Sequence, residues 1–122
     1  MTENTWTRAC GVSEVSKDDV KRWDFGGRSF AIFRSHHDEF FVTDNVCTHE
    51  HAYLSDGYID GYTVECPRHA GMFDIRSGRA ISPPVCVNLR TFAVKVEHDS
   101  VYVALDYATW RAPTKRSTTQ TS

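Results

Sequence analysis

The sequence predicts an all-β fold, antiparallel sheets with a loop-rich part inserted in the middle, and three observations predict it. Apolar residues alternate with polar or small ones over short stretches instead of recurring at helical spacing. Glycine-bearing turn signals separate those stretches. No stretch reaches the length of an amphipathic helix, although residues 51–55 are compatible with a single helical turn.

The elements follow in order. Trp6 to Val12 is an opening strand, and the polar run Ser13 to Asp19 turns. Val20 to Phe25 and Ser29 to Arg34 are strands joined by Gly26-Gly27, a pair that tolerates the positive φ of a tight hairpin. Ser35-His36-His37-Asp38 turns, and Glu39 to Thr43 returns, so these segments read as one meander. Between Asp44 and Pro84 the texture changes, with glycines at 57, 61, 71 and 78 and prolines at 67, 83 and 84. Short strands fit Gly57–Ile59, Tyr62–Glu65 and Met72–Asp74, with an Asp60-Gly61 hairpin turn and a Ser77-Gly78 turn. The meander resumes at Thr91–Glu97, His98-Asp99-Ser100 turns, and Val101, Val103 and Leu105 close the fold. One domain is expected over residues 1–106, with its inserted part at about 44–84. The extension 107–122 is expected to be disordered from about 113, where proline is the only apolar side chain.

Charge and composition narrow the function. Fifteen aromatics in 122 residues suffice for a core. No apolar run approaches the roughly 20 residues of a membrane helix, and the start lacks the basic and apolar regions of a signal peptide. A soluble, cytoplasmic protein with no membrane partner is therefore expected. Of 14 basic and 16 acidic residues, Arg111, Lys115 and Arg116 fall in the last 16, leaving 11 against 16, a net of −5, over residues 1–106. That balance argues against a nucleic-acid partner and permits docking to a basic protein face.

The chemistry concentrates in Cys47-Thr48-His49, sixteen further residues, and Cys66-Pro67-Arg68-His69. Each half brings one thiolate and one imidazole to a short loop. With 4 Cys and 6 His in the chain, chance produces this arrangement on the order of once in a thousand such sequences. Cys47, His49, Cys66 and His69 are thus the candidate metal ligands. Two metals fit. Structural zinc takes two Cys and two His, usually with like ligands paired in one half. A [2Fe–2S] cluster in which two His replace two Cys on one iron has a reason to mix them, since both loops then clamp both irons.

The motif resembles the Rieske family. Beyond the four ligands, Leu54-Ser55-Asp56-Gly57, Glu65-Cys66-Pro67, Phe73-Asp74, Gly78 and Pro83-Pro84 are similar to the small Rieske ferredoxins of bacterial aromatic-ring-hydroxylating dioxygenase systems. The resemblance spans roughly residues 6–106. It implies the Rieske fold, with residues 44–84 binding one [2Fe–2S] cluster, and a place in aromatic hydrocarbon catabolism. It also implies single-electron transport, with a flavoprotein ferredoxin reductase and a terminal Rieske oxygenase as partners. It departs from the high-potential Rieske proteins of cytochrome complexes. Ala52 and Arg68 stand where those carry a disulfide, and Gly71 and Phe73 where those carry hydroxyls directed at the cluster. Fewer hydrogen bonds to the sulfurs imply a potential near the low end of the Rieske range, roughly −150 mV.

The chain is not expected to be an enzyme. An oxygenase needs a second iron site of two His and one carboxylate, for which the tail has no room, and no Gly-rich βαβ unit is present for a nicotinamide or flavin. The alternatives are a small Rieske-like subunit of a reductase such as nitrite reductase, and a zinc-stabilised binding module. Cys10 is expected to pack as a free thiol, Cys86 to lie near the cluster without binding it, and His36, His37 and His98 to be solvated. Near the ligand loops, His51 is placed for a partner, Tyr53, Pro83 and Pro84 for an apolar docking face, and Glu50 and Asp56 for its charge.

Overall fold

A computed structural model of the chain describes residues 4–48, 52–68, 71–82 and 87–106. The strands are β1 (Asn4–Gly11), β2 (Asp19–Phe25), β3 (Arg28–Arg34), β4 (Phe40–Asp44), β5 (Tyr58–Asp60), β6 (Thr63–Glu65), β7 (Met72–Asp74), β8 (Ala80–Ser82), β9 (Thr91–Phe92), β10 (Val94–Glu97) and β11 (Ser100–Asp106). Single 3₁₀ turns lie at Val12–Glu14 and Leu54–Asp56. The strands form three antiparallel sheets in the orders β1-β11-β10, β2-β3-β4-β9 and β5-β6-β7-β8. Among the described residues no helix is long and apolar enough to cross a membrane.

The middle sheet is the wall between two cores, and β3 shows why. Phe30, Ala31, Ile32 and Phe33 are all buried, so this strand has no solvent face. Phe30 and Ile32 point into one core with Cys10, Val15, Val42, Val101, Val103 and Leu105. Ala31 and Phe33 point the other way, into a second core with Cys47, Ala52, Leu54, Val64, Cys66, Phe73, Ile75 and Leu89. Successive strand residues face opposite sides, so one apolar run serves two layers. The first core lies under the three-stranded sheet. The second is roofed by the inserted β5–β8 sheet, whose last strand, β8, the sequence reading does not place.

Two expectations are corrected. The opening strand does not join a meander with β2. It pairs with β11, from Asn4↔Asp106 to Gly11↔Ser100, with a bulge between Arg8 and Cys10. The connection from Gly11 to Asp19 is too long for a tight hairpin, and its 3₁₀ turn hands the chain away: Val12 N–H donates to the Asp99 carbonyl. Likewise Thr91–Glu97 is not one strand. Thr91 and Phe92 pair with β4, whereas Val94–Glu97 pairs with β11. The chain changes sheets at Ala93, whose carbonyl accepts from Ala104 N–H, and Val96 is consequently exposed.

Two glycines hold the insert close. A Cβ on Gly57 would collide with the Glu65 carbonyl oxygen, so the 3₁₀ turn can lie on β6 only without a side chain there. Gly78 has φ +77°, and a Cβ on it would strike the Leu89 carbonyl, whose own N–H donates to Gly78 O.

Candidate metal centre

The structure builds the two cysteine loops on one plan. The amide of Cys47 donates to the Ala52 carbonyl at 2.8 Å, and the amide of Cys66 donates to the Gly71 carbonyl at 2.7 Å. Each cysteine thus opens a six-residue loop closed by the fifth residue on. Below Cys47 the neck continues as a ladder, with a Val46↔Tyr53 bridge and Leu54 N–H donating to Asn45 O at 2.7 Å. Cys66 follows β6 directly, and Gly71 leads into β7, so the second loop is the tip of a hairpin. Glu65↔Met72 is its last pair.

The loops converge. Cys47 is 4% exposed and Cys66 is 2% exposed, and both belong to the core that holds Phe33, Phe73 and Leu89. Between them opens a cleft of about 520 Å³ lined by Ala52, Tyr53, Asp56, Pro67 and Arg68. Thr48 donates its hydroxyl to the Val87 carbonyl at 2.7 Å, which draws the segment after the proline loop against the first cysteine loop. His49, Glu50, His51, His69, Pro83, Pro84 and Cys86 lie outside the described residues.

Two cysteines buried in the same apolar core, each opening a short loop, would suit a metal or cluster with soft donors. The surroundings suit one without hydroxyl donors, since Phe73 is fully buried in the same core. Cys10 is buried across the middle sheet in the other core, and burial, followed by Glu14, pushes its thiol pKa up. It takes no part in the centre. His36, His37 and His98 are exposed in turns, as expected.

Sequence reasoning missed Asn45. It is a fully buried polar side chain, two residues before Cys47, and its amide bridges two bodies. Nδ2 donates to Ser29 Oγ on β3 and to Ser55 Oγ on the 3₁₀ turn, both at 3.0 Å. Oδ1 accepts from Ser55 N–H at 2.9 Å. An asparagine after a strand reads as a turn residue, and nothing local in the sequence announces its partners.

The cleft wall also has electrostatic support. Arg22 lies over the Tyr53 ring and pairs with Asp24 at 3.0 Å. That hydrogen bond, then one from the Ser29 hydroxyl, holds the Asp24 carboxyl below the ordinary range. Asp56 and Arg68 line the cleft without an ion pair among the described residues, whereas Lys17, Lys21, Arg34, Arg76 and Lys95 are all paired elsewhere.

A family model described as the Rieske [2Fe-2S] domain matches residues 5–93. The chain is 38% identical over 100 residues to the ferredoxin component of the naphthalene 1,2-dioxygenase system of Pseudomonas putida, covering 82% of this chain and 95% of that one. Its structure resembles the Sphingomonas yanoikuyae B1 ferredoxin, with a TM-score of 0.78, 35% identity and coverage of 83% and 99%. It also resembles a chain in a complex of reduced oxygenase and oxidised ferredoxin in carbazole 1,9a-dioxygenase, with a TM-score of 0.76, 36% identity and coverage of 81% and 92%.

Proposed function

The chain belongs to the Rieske [2Fe–2S] family, and from that premise we propose that it is the ferredoxin component of an aromatic-ring-hydroxylating dioxygenase system. It carries single electrons from a flavoprotein reductase to a terminal Rieske oxygenase and transforms no substrate itself. The observation that carries this reading is the pair of equally closed cysteine loops meeting in one buried core, on a chain covering nearly the whole of a ferredoxin component. The family's cofactor is an iron–sulfur cluster, which displaces the zinc-module alternative.

Cys47 and Cys66 would hold one iron, and His49 and His69 the other. When bound, the cluster supplies one-electron chemistry without proton or group transfer. The chain's own residues bury the sulfur side: Phe33, Leu54, Phe73 and Leu89 exclude water there. The exposed Tyr53 and Pro67, with Asp56 and Arg68, form the part of the docking face nearest the loops. In this reading the carrier works in the cytoplasm, whose reducing poise would keep free thiols reduced.

Metal and sulfide analysis with electron paramagnetic resonance on the purified protein tests this. About two irons and two sulfides per chain are expected, with a Rieske signal on reduction. Zinc, or iron without sulfide, would refute it. Reduction by a flavoprotein reductase and NAD(P)H, followed by oxidation by an aromatic dioxygenase, tests the placement between partners.

A further inference from the structure

We propose that Asn45 is a positioning residue for the cluster: it pins the foot of the Cys47 loop to the middle sheet and so sets where Cys47 stands relative to Cys66. This rests on the reading of Cys47 and Cys66 as the thiolate ligands.

Five hydrogen bonds converge on this buried residue. Its N–H donates to the Ser29 carbonyl at 3.0 Å, and its carbonyl accepts from Leu54 N–H at 2.7 Å. Its side chain makes the three bonds to Ser29 and Ser55 given above. Ser29 belongs to β3, the wall between the cores, and Leu54 and Ser55 begin the turn that leaves the Cys47 loop. Both strands of the loop's neck are thereby tied to the sheet through one side chain.

The amide's polarity is fixed by its neighbours. Ser55 N–H must meet an acceptor, so Oδ1 faces it and Nδ2 faces the two hydroxyls. The Ser29 hydroxyl in turn hydrogen-bonds the Asp24 carboxylate, and its proton is therefore directed outward. Position 45 must donate to Ser29, and a carboxylate of the same shape cannot. The requirement is for an amide, beyond bulk or polarity. The second loop has a different support, being the tip of the β6–β7 hairpin. Asn45 is thus the link that holds the first loop in register with the second, whether or not the cluster is present.

The test uses the purified, cluster-loaded protein and three variants. Asn45→Asp keeps shape and removes the donors. Ser55→Ala removes one partner and spares the residue itself. Thr43→Val is the control: it deletes the hydroxyl of a fully buried residue two positions from Asn45, bonded among the described residues to the Asp44 carbonyl. Cluster release to an iron chelator, the resonance spectrum of the reduced protein and the melting temperature are read together. Asn45→Asp is expected to release iron roughly 10-fold or more faster than wild type, the scale typical of residues that orient metal ligands, with altered g-values. Ser55→Ala is expected to show a smaller acceleration, and Thr43→Val to release iron at the rate its melting temperature predicts. If release in all three tracks melting temperature alone, or Asn45→Asp matches wild type, the proposal is overturned. Should Asn45→Asp fail to fold, Ser55→Ala against Thr43→Val decides it in the same way. Loss of the signal in wild type itself would refute the cluster reading instead.

Discussion

The guanidinium of Arg22 lies 4.1 Å from the centre of the Tyr53 ring. The contact is a cation–π pair and holds an aromatic side chain at the edge of the cleft between the cysteine loops. A partner docking there, as proposed, would meet an aromatic wall with one acid and one base beside it.

The encounter with the cognate reductase, which gives the electron, or with the oxygenase, which takes it, is therefore expected to be transient and steered by charge. Neutralising Asp56 together with Glu50 should slow association with a basic partner face, and Arg68→Gln should speed it. Both effects should shrink as salt rises, because the Debye length falls from about 10 Å at 0.1 M to 3 Å at 1 M. Deleting residues 113–122 should change neither. Stopped-flow rates across salt concentrations check this. Rates insensitive to salt and to all three charges would place the contact on apolar surface such as Tyr53 and Val87.

The thiol ligands give a sharper expectation. Cys47→Ser or Cys66→Ser should abolish the cluster and loosen the β5–β8 insert, since metal binding and local folding are coupled. Cys10→Ser, across the middle sheet, should retain full iron and the same spectrum. Either ligand variant holding about two irons per chain would remove that cysteine from the ligand set.

Phe73 is fully buried in the core of the two cysteines, so Phe73→Tyr would place a hydroxyl inside it. If that hydroxyl favours the reduced cluster by about 1 kcal/mol, a one-electron couple rises by about 40 mV. Protein-film voltammetry measures it. An unchanged or lower potential with intact absorption would count against scarce sulfur hydrogen bonds as the cause of a low potential.

The insert is also latched at its far end. Tyr62 donates its hydroxyl to Glu39 at 2.5 Å, and Ser35 donates to the same oxygen at 2.9 Å. The Tyr62 bond, then the Ser35 bond, holds the Glu39 carboxyl below its ordinary pKa, while Glu39 holds the Tyr62 phenol above its own. A carboxyl lowered on folding stabilises above its unfolded pKa, about 4.3, and that contribution is lost as pH falls through the lower folded value. The raised phenol acts in the opposite sense, its contribution being lost as pH rises through its folded value, above about 10. Glu39→Gln should flatten both limbs of the melting temperature against pH, more below pH 4 than at neutrality. Identical acid limbs in variant and wild type would show that the latch adds nothing.

Much of this molecule is legible in its sequence, for identifiable reasons. The β2–β4 hairpins follow from alternation and from Gly26-Gly27, because their partners are adjacent in the chain. Cys47 and Cys66 are marked by residue chemistry and spacing alone. The pairing of β1 with β11 is not legible, since a partner a hundred residues away leaves no local trace. The switch at Ala93 is hidden because alternation runs unbroken through it. Asn45 is hidden because its role lies in Ser29 and Ser55, which only the fold brings together.

The pairing of Asn4 with Asp106 governs the order of assembly. A chain synthesised from its N-terminus makes β1 first, yet β1 has no sheet neighbour until β11 is complete. The cysteine loops, with the Ser29 anchor of Asn45, need the segment from β3 to β7, so they come into contact through far shorter chain separations. Pulse-labelled hydrogen exchange during refolding should find β6 and β7 amides protected before those of β1. The nascent protein would then reach an iron-competent middle while its first strand is still an open edge, and the outermost sheet would seal last around a centre already formed.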